Sequence, residues 1–211
     1  MAYFPFFVEI ENQCCLIVGA GIVALRKLEI LKEYGPKFHV VAPVVTEEIV
    51  ELAKQHPDKI RISQRNYERE DLNQADFVIA ASSDDELNHQ IFLSCKERKI
   101  PVNVVDVKQD CSFIMPAIIH NSSFDIAVSS GGRSPAAASY LKRKIHESIP
   151  EHYGNLVEEL GEYRDYVKSK IASQKVRGEV FQHLLEAGLE NECHLTSEMV
   201  EKIVKSYLTE N

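Results

Sequence analysis

An apolar run, CCLIV (14–18), stops at Gly19-Ala20-Gly21 and gives way to Ile22, Leu25, Leu28 and Leu31, spaced about one helical turn apart before Gly35 and Pro36. A short run with no polar alternation predicts a strand buried on both faces, and the spacing after it predicts a helix over 21–34. A strand that enters a helix through two glycines constrains the fold more than any other feature of the chain. Such a strand belongs in a parallel sheet covered by helices on both sides. The first half repeats this alternation. Strands are predicted at FHVVA (38–42), KIRIS (59–63), DFVIAA (76–81) and VNVVD (102–106). Between them lie a helix from Thr46 to about Gln55 and one headed by Ser83 and Glu86 at capping-box spacing, which carries Leu87, Ile91 and Phe92. The fold class is therefore α/β.

Beyond Asp106 the pattern changes. SFIMPAII (112–119) and FDIAVSS (124–130) read as two strands joined by a turn at 120–123. Ser134 is a good N-cap and Pro135 suits a first helical turn, where its missing N–H costs nothing. From there only helical periodicity appears, with breaks expected at Pro150, Gly178 and Gly188. Three parts are expected: a Rossmann-like nucleotide-binding domain over 1–112, a strand-pair segment over 113–149, and an all-helical tail over 150–211.

Composition excludes several classes. With 211 residues, 45% hydrophobic and 27% charged, the chain can bury a large core. No apolar stretch approaches the roughly 18 residues of a membrane span, and MAYFPFFVEIENQ has no basic leader region, so neither membrane insertion nor secretion is expected. The five cysteines include the adjacent pair Cys14 and Cys15 and have no zinc spacing. They read as reduced, buried thiols of a cytoplasmic protein, and no metal site is expected. The net charge of −8 argues against a nucleic-acid partner. Residues 151–211 carry twelve acidic and seven basic side chains, whereas 126–146 holds Arg133, Lys142, Arg143 and Lys144 and no acid. A basic stretch in an acidic chain suits an anionic ligand or, equally, a solvated helix face.

Gly19, Gly21 and Ala24 match a GxGxxA dinucleotide fingerprint in the required strand–helix context. The first glycine permits the tight turn and the second admits a pyrophosphate, which meets the free N–H groups of a helix start. The acidic residue expected about 20 positions on is replaced by Ala42-Pro43-Val44. NAD held partly through backbone contacts is the expected cofactor, with NADP less favoured. Asp106, at a strand's carboxyl end, is either a general base or a turn cap. Asn103, two residues earlier on the same face, is placed to orient a ligand or Asp106 itself. In Ser129-Ser130-Gly131-Gly132-Arg133-Ser134-Pro135, hydroxyls, N–H groups and a guanidinium suit a carboxylate or phosphate, and a purely structural glycine turn is the competing reading.

In this order, CLIVGAGIVALRK, VVAP, VIAASSDDELN, VNVVD, SFIMPAII and AVSSGGRSP resemble the precorrin-2 dehydrogenase and ferrochelatase part of siroheme synthase over residues 3–150. The resemblance implies NAD-dependent oxidation of precorrin-2, an acidic tetrapyrrole with eight carboxylates, to sirohydrochlorin. In some members insertion of ferrous iron follows, with cobaltous ion an alternative metal substrate. It implies that Gly19, Gly21, Ile22 and Val23 bind the cofactor phosphates, that Pro43 and Val44 flank its adenosine, and that Asp106 is the catalytic acid–base. Asn103, Ser130, Gly131 and Arg133 would then face the substrate, with the basic stretch as an anion-holding wall. A homodimer built through the segment after the Rossmann domain is also implied. The chain lacks the methyltransferase half of the long siroheme synthases, so another protein is expected to methylate the precursor. Two other functions compete: a non-catalytic NAD-sensing module and a dehydrogenase of another small acid.

Overall fold

A computed structural model describes residues 3–209. The chain divides between Met115 and Pro116 into two compact units. The first carries five strands, β1 (Cys14–Val18), β2 (Lys37–Val41), β3 (Ile60–Ser63), β4 (Phe77–Ala80) and β5 (Val102–Val104), and three helices, α1 (Ile22–Lys32), α2 (Glu47–Gln55) and α3 (Asp85–Arg98). The sheet order is β3-β2-β1-β4-β5 and every neighbouring pair is parallel. The chain thus runs outward from β1 to β3, then returns past β1 to β4 and β5. The reversal opens a crevice at the carboxyl ends of β1 and β4, where ligands of open α/β sheets bind.

Alternation within β1 explains its uniform burial. Cys15 and Ile17 pack with Ala24, Leu25 and Leu28 of α1 and Ile49 of α2 on one face. Leu16 and Val18 pack with Leu72, Ile91 and Cys95 on the other. Leu16, Ile17, Leu28, Ile79 and Ile91 have no accessible surface, so truncating any of them to alanine costs about 2–5 kcal/mol.

Several expected boundaries shift for local reasons. β5 stops at Val104 rather than at Asp106, because residues 111–113 take over its edge. Ser112 donates its N–H to Val102 O at 2.9 Å and accepts from Val102 N through Oγ at 2.8 Å. The N-cap of α3 is Asp84, not Ser83. Its carboxylate accepts from Leu87 N at 3.1 Å, and a charged acceptor outcompetes a hydroxyl there.

The second unit begins with an antiparallel pair, β6 (Ala117–Asn121) and β7 (Phe124–Val128). β6 starts only after Pro116, and residues 112–116 are not strand. The turn is tighter than expected, because Asn121 Oδ1 accepts from Ser123 N at 3.1 Å. Five helices follow: α4 (Pro135–Ser148), α5 (Tyr153–Glu162), α6 (Arg164–Lys170), α7 (Gln174–Glu190) and α8 (Ser197–Thr209). Ser134 caps α4 through Ala137 N at 3.2 Å. Leu156, Val167, Val180, Leu184, Val200 and Val204 form the core of α5–α8. The chain breaks near Pro150 as expected, but Gly178 and Gly188 lie inside α7. Gly188 is there for close packing, since a Cβ would stand 2.3 Å from Leu156 Cδ1.

Candidate functional site

The glycine loop is built by contacts that only its sequence permits. Gly19 has φ +103°, and its N–H donates to Val41 O at 2.9 Å. A Cβ at this position would lie 2.3 Å from Ala81 O, so neither the turn nor the approach to β4 survives a side chain. Gly21 differs. Its φ of −92° is open to any residue, and a Cβ would meet nothing within 4 Å. Its value lies in the open space it leaves over the start of α1.

That helix start suits an anion. No side chain caps it and no acid stands in its first turn. Leu25 N is the first to bond within the helix, to Gly21 O at 3.0 Å, which leaves the preceding N–H groups for a ligand. Ile22 is exposed and Val23 half-buried. Thr46 N donates to Ala20 O at 3.2 Å, drawing the loop after β2 against the cradle. Thr46 Oγ1 is buried without a hydrogen-bond partner among the described residues. Thr46 stands at the N-cap of α2, but its hydroxyl makes no cap bond. Pro43 and Val44 are both exposed on that loop. An open Gly21, free helix N–H groups and an unused hydroxyl fit a dinucleotide pyrophosphate.

A chain of contacts carries this edge to Asp106. Ala81 N donates to Val18 O at 2.8 Å and Val105 N to Ala80 O at 3.0 Å, so the ends of β1, β4 and β5 are stitched together with Asp106 next in line. Asp106 itself lies in a turn with φ +59°, a left-handed conformation that Asp tolerates better than most residues. Its side chain is exposed, and no hydrogen bond or ion pair among the described residues engages the carboxylate. It therefore does not cap the turn. Strained backbone of this kind concentrates at functional sites.

What holds the turn is Cys111. Its Sγ accepts from Val104 N at 3.2 Å and donates toward Val104 O at 3.1 Å and Val107 O at 3.4 Å, on both sides of Asp106. Burial raises its pKa above the ordinary thiol value, opposed by the Val104 backbone bond, so it works as a neutral hydrogen-bonding group. Asn103 is buried, and its amide donates to Phe113 O at 3.0 Å and toward Cys111 Sγ at 3.6 Å. Both donors of the Asn103 amide serve the segment beside Asp106. Lys27 of α1, which the sequence reading passed over, is half-buried and electrostatically coupled to Cys111 and Asp106. Burial lowers its pKa and those two groups oppose the shift. The one signal for Lys27 was a charge set between the buried Leu25 and Leu28 of α1.

In the second unit the loop after β7 is organised internally. Gly131 and Gly132 have φ +62° and +75°. Ser130 Oγ donates to Ser134 O at 3.0 Å and accepts from Ser134 N at 2.9 Å. Its hydroxyl is thus spent on the turn, while the Arg133 side chain is exposed. The single basic wall expected over 126–146 does not form. Lys142, Arg143 and Lys144 are consecutive on α4 and fan over different faces. Glu147 pairs with Lys144 at 2.7 Å and Arg143 at 3.8 Å. Among the described residues no cluster of three or more His, Cys, Asp or Glu is arranged to hold a metal. No described helix is long and apolar enough to cross a membrane.

A family model described as NAD(P)-binding matches residues 6–117, the span that carries the sheet, the glycine cradle and Asp106. The chain belongs to this NAD(P)-binding family. Among curated relatives, the siroheme synthase of Thioalkalivibrio sulfidiphilus (strain HL-EbGR7) is 39% identical over 186 residues, 88% of this chain and 38% of its own length. That of Nitrosomonas europaea is 36% identical over 186 residues, 88% and 39% of the two chains. This protein thus spans about two fifths of the length of these relatives. An alignment of 186 residues also reaches into the helical tail, beyond the limit of 150 expected from the motifs. A solved structure titled SirC, precorrin-2 dehydrogenase, has a TM-score of 0.73 at 21% identity and covers 98% of this chain and 100% of its own. At that identity it establishes the fold.

Proposed function

We propose that this protein is a cytoplasmic NAD-dependent dehydrogenase that oxidises precorrin-2 to sirohydrochlorin. The observation that carries the reading is the unengaged Asp106 carboxylate, held in a left-handed turn on the strand edge that forms the dinucleotide cradle. Similarity to siroheme synthases supports the choice of substrate. When bound, NAD supplies a hydride acceptor for the macrocycle. The helix start and Gly21 hold the pyrophosphate. Asp106 takes the proton that leaves as the carbon–hydrogen bond gives up its hydride, so one two-electron oxidation releases one proton to the carboxylate. Lys27, half-buried on α1 and electrostatically linked to Asp106, supplies a cation for a carboxylate arm of the substrate.

Preference for NAD over NADP follows from how the nearby guanidinium groups are used. Arg65 binds Asp71 through two bonds at 2.6 and 2.9 Å, and Arg61 bonds His39 Nδ1 at 2.9 Å. Neither is free for a 2′-phosphate, and the loop after β2 offers only Pro43 and Val44. In this reading residues 1–112 bind the cofactor. Residues 113–149 form the homodimer, with Gly131 and Arg133 holding carboxylate arms of the substrate while Ser130 shapes their turn; residues 150–211 are a helical domain. Ferrous or cobaltous ion is a further substrate if the product is metallated here. Anaerobic incubation with precorrin-2 and either NAD or NADP tests the proposal. Sirohydrochlorin should form with NAD at a markedly higher rate, and an unchanged macrocycle spectrum with both cofactors would overturn it. Adding ferrous or cobaltous ion to the product tests chelation in the same cell.

A further inference from the structure

The second unit contains a cleft that the proposed chemistry leaves unused. It lies among α5, α6 and α7, has a volume of about 840 Å³, and is lined by Val157, Leu160, Arg164, Lys168, Arg177 and Phe181, with no acidic residue. Its size falls within the roughly 300–1,000 Å³ of small-molecule sites. Val157, Leu160 and Phe181 are half-buried and form an apolar floor. The rim is cationic. Arg164 and Lys168 stand one turn apart on α6, and neither has an ion-pair partner among the described residues. Arg177 is pinned, because its Nη1 donates to Ile171 O at 2.9 Å and Ala172 O at 2.7 Å.

The absence of acid from the lining runs against the composition of this region, where twelve acidic side chains face seven basic ones over 151–211. Local bonding accounts for it. Glu158 accepts from Ser123 Oγ at 2.7 Å, and Glu159 binds His194 Nδ1 and Leu195 N, each at 2.6 Å. Two of the three α5 carboxylates, Glu158 and Glu159, are thereby turned to other partners.

We propose that this cleft is a second binding site for a polycarboxylated macrocycle, with the ring on the Val157–Leu160–Phe181 floor and carboxylate arms on Arg164, Lys168 and Arg177. The choice of macrocycle rests on the function proposed above. The cleft's shape and charge do not. Such a site would retain product or incoming substrate on the protein between steps.

Titration of uroporphyrin I, a fluorescent ring with eight carboxylates, into the full chain and into the Arg164→Glu/Lys168→Glu variant tests the site. Circular dichroism checks that the variant folds. The wild type should bind the probe with a salt-sensitive affinity that the charge reversal weakens roughly tenfold or more, since it replaces charge-assisted bonds with repulsion. Oxidation of saturating precorrin-2 by NAD should be unchanged in the variant. Equal affinity in both proteins, or no binding to the wild type, overturns the proposal and leaves the cleft to an acidic protein segment. Loss of dehydrogenase activity in the wild type with intact, variant-sensitive uroporphyrin binding would instead sink the functional reading and spare the cleft.

Discussion

Two glycines two residues apart do different work, and alanine at each separates fold from function. Gly19→Ala places a Cβ against Ala81 O in a backbone region closed to it. The conformation alone costs about 1–3 kcal/mol, so urea unfolding should move to clearly lower denaturant. Gly21→Ala meets no neighbour. Its unfolding midpoint should stay close to wild type while NAD affinity, read by calorimetry, falls. The fingerprint was legible because a strand, two glycines and a helical stripe state their geometry locally. Lys27 and Thr46 were not, since a lysine in a helix and a threonine before one carry no local sign of what lies across from them. Asp106 was legible as a carboxylate at a strand end, but its left-handed turn arises from Cys111, five residues later, and no spacing rule anticipates that.

At the level of elements, the ladder from β5 to residues 111–113 governs how well the Asp106 turn is held. Asn103→Ala removes the bonds to Phe113 O and Cys111 Sγ, leaving a buried acceptor unpaired at a cost of about 1–3 kcal/mol. The expected outcome is a lower urea midpoint together with a fall in kcat, both shared by Asn103→Asp, whose carboxylate cannot donate to Phe113 O. A stability loss with kcat unchanged would show that the ladder serves the sheet alone. The strands were read within a residue or two except at β6, whose start was expected five residues early. At β5 a neighbouring segment captured the edge, and at β6 Pro116 delayed pairing. Gly188 was misread as a helix break because its packing partner, Leu156, is invisible along the chain, while Gly178 meets no neighbour and is simply carried inside α7.

The whole molecule should also carry a pH signature. His39 is buried in β2 between Arg61 and Ser63. Burial first, and the Arg61 guanidinium second, hold its pKa below the ordinary histidine value of 6.5. The unfolded chain therefore takes up a proton that the folded chain resists. The contribution to stability is full above about pH 6.5 and is lost as pH falls through the depressed folded value. Urea midpoints at about pH 8 and about pH 5.5 should fall more steeply for wild type than for His39→Gln; parallel declines would remove His39 as the cause.

Above both units stands the claim that one carboxylate beside a dinucleotide cradle performs the proton transfer. The most direct measurement is anaerobic turnover of precorrin-2 by wild type and Asp106→Ala, with NAD affinity measured on the same two proteins. Loss of a positioned base predicts a fall of about 10² to 10⁴ in rate with NAD binding preserved, because no cradle residue has changed. Turnover within a few-fold of wild type in the variant would contradict it.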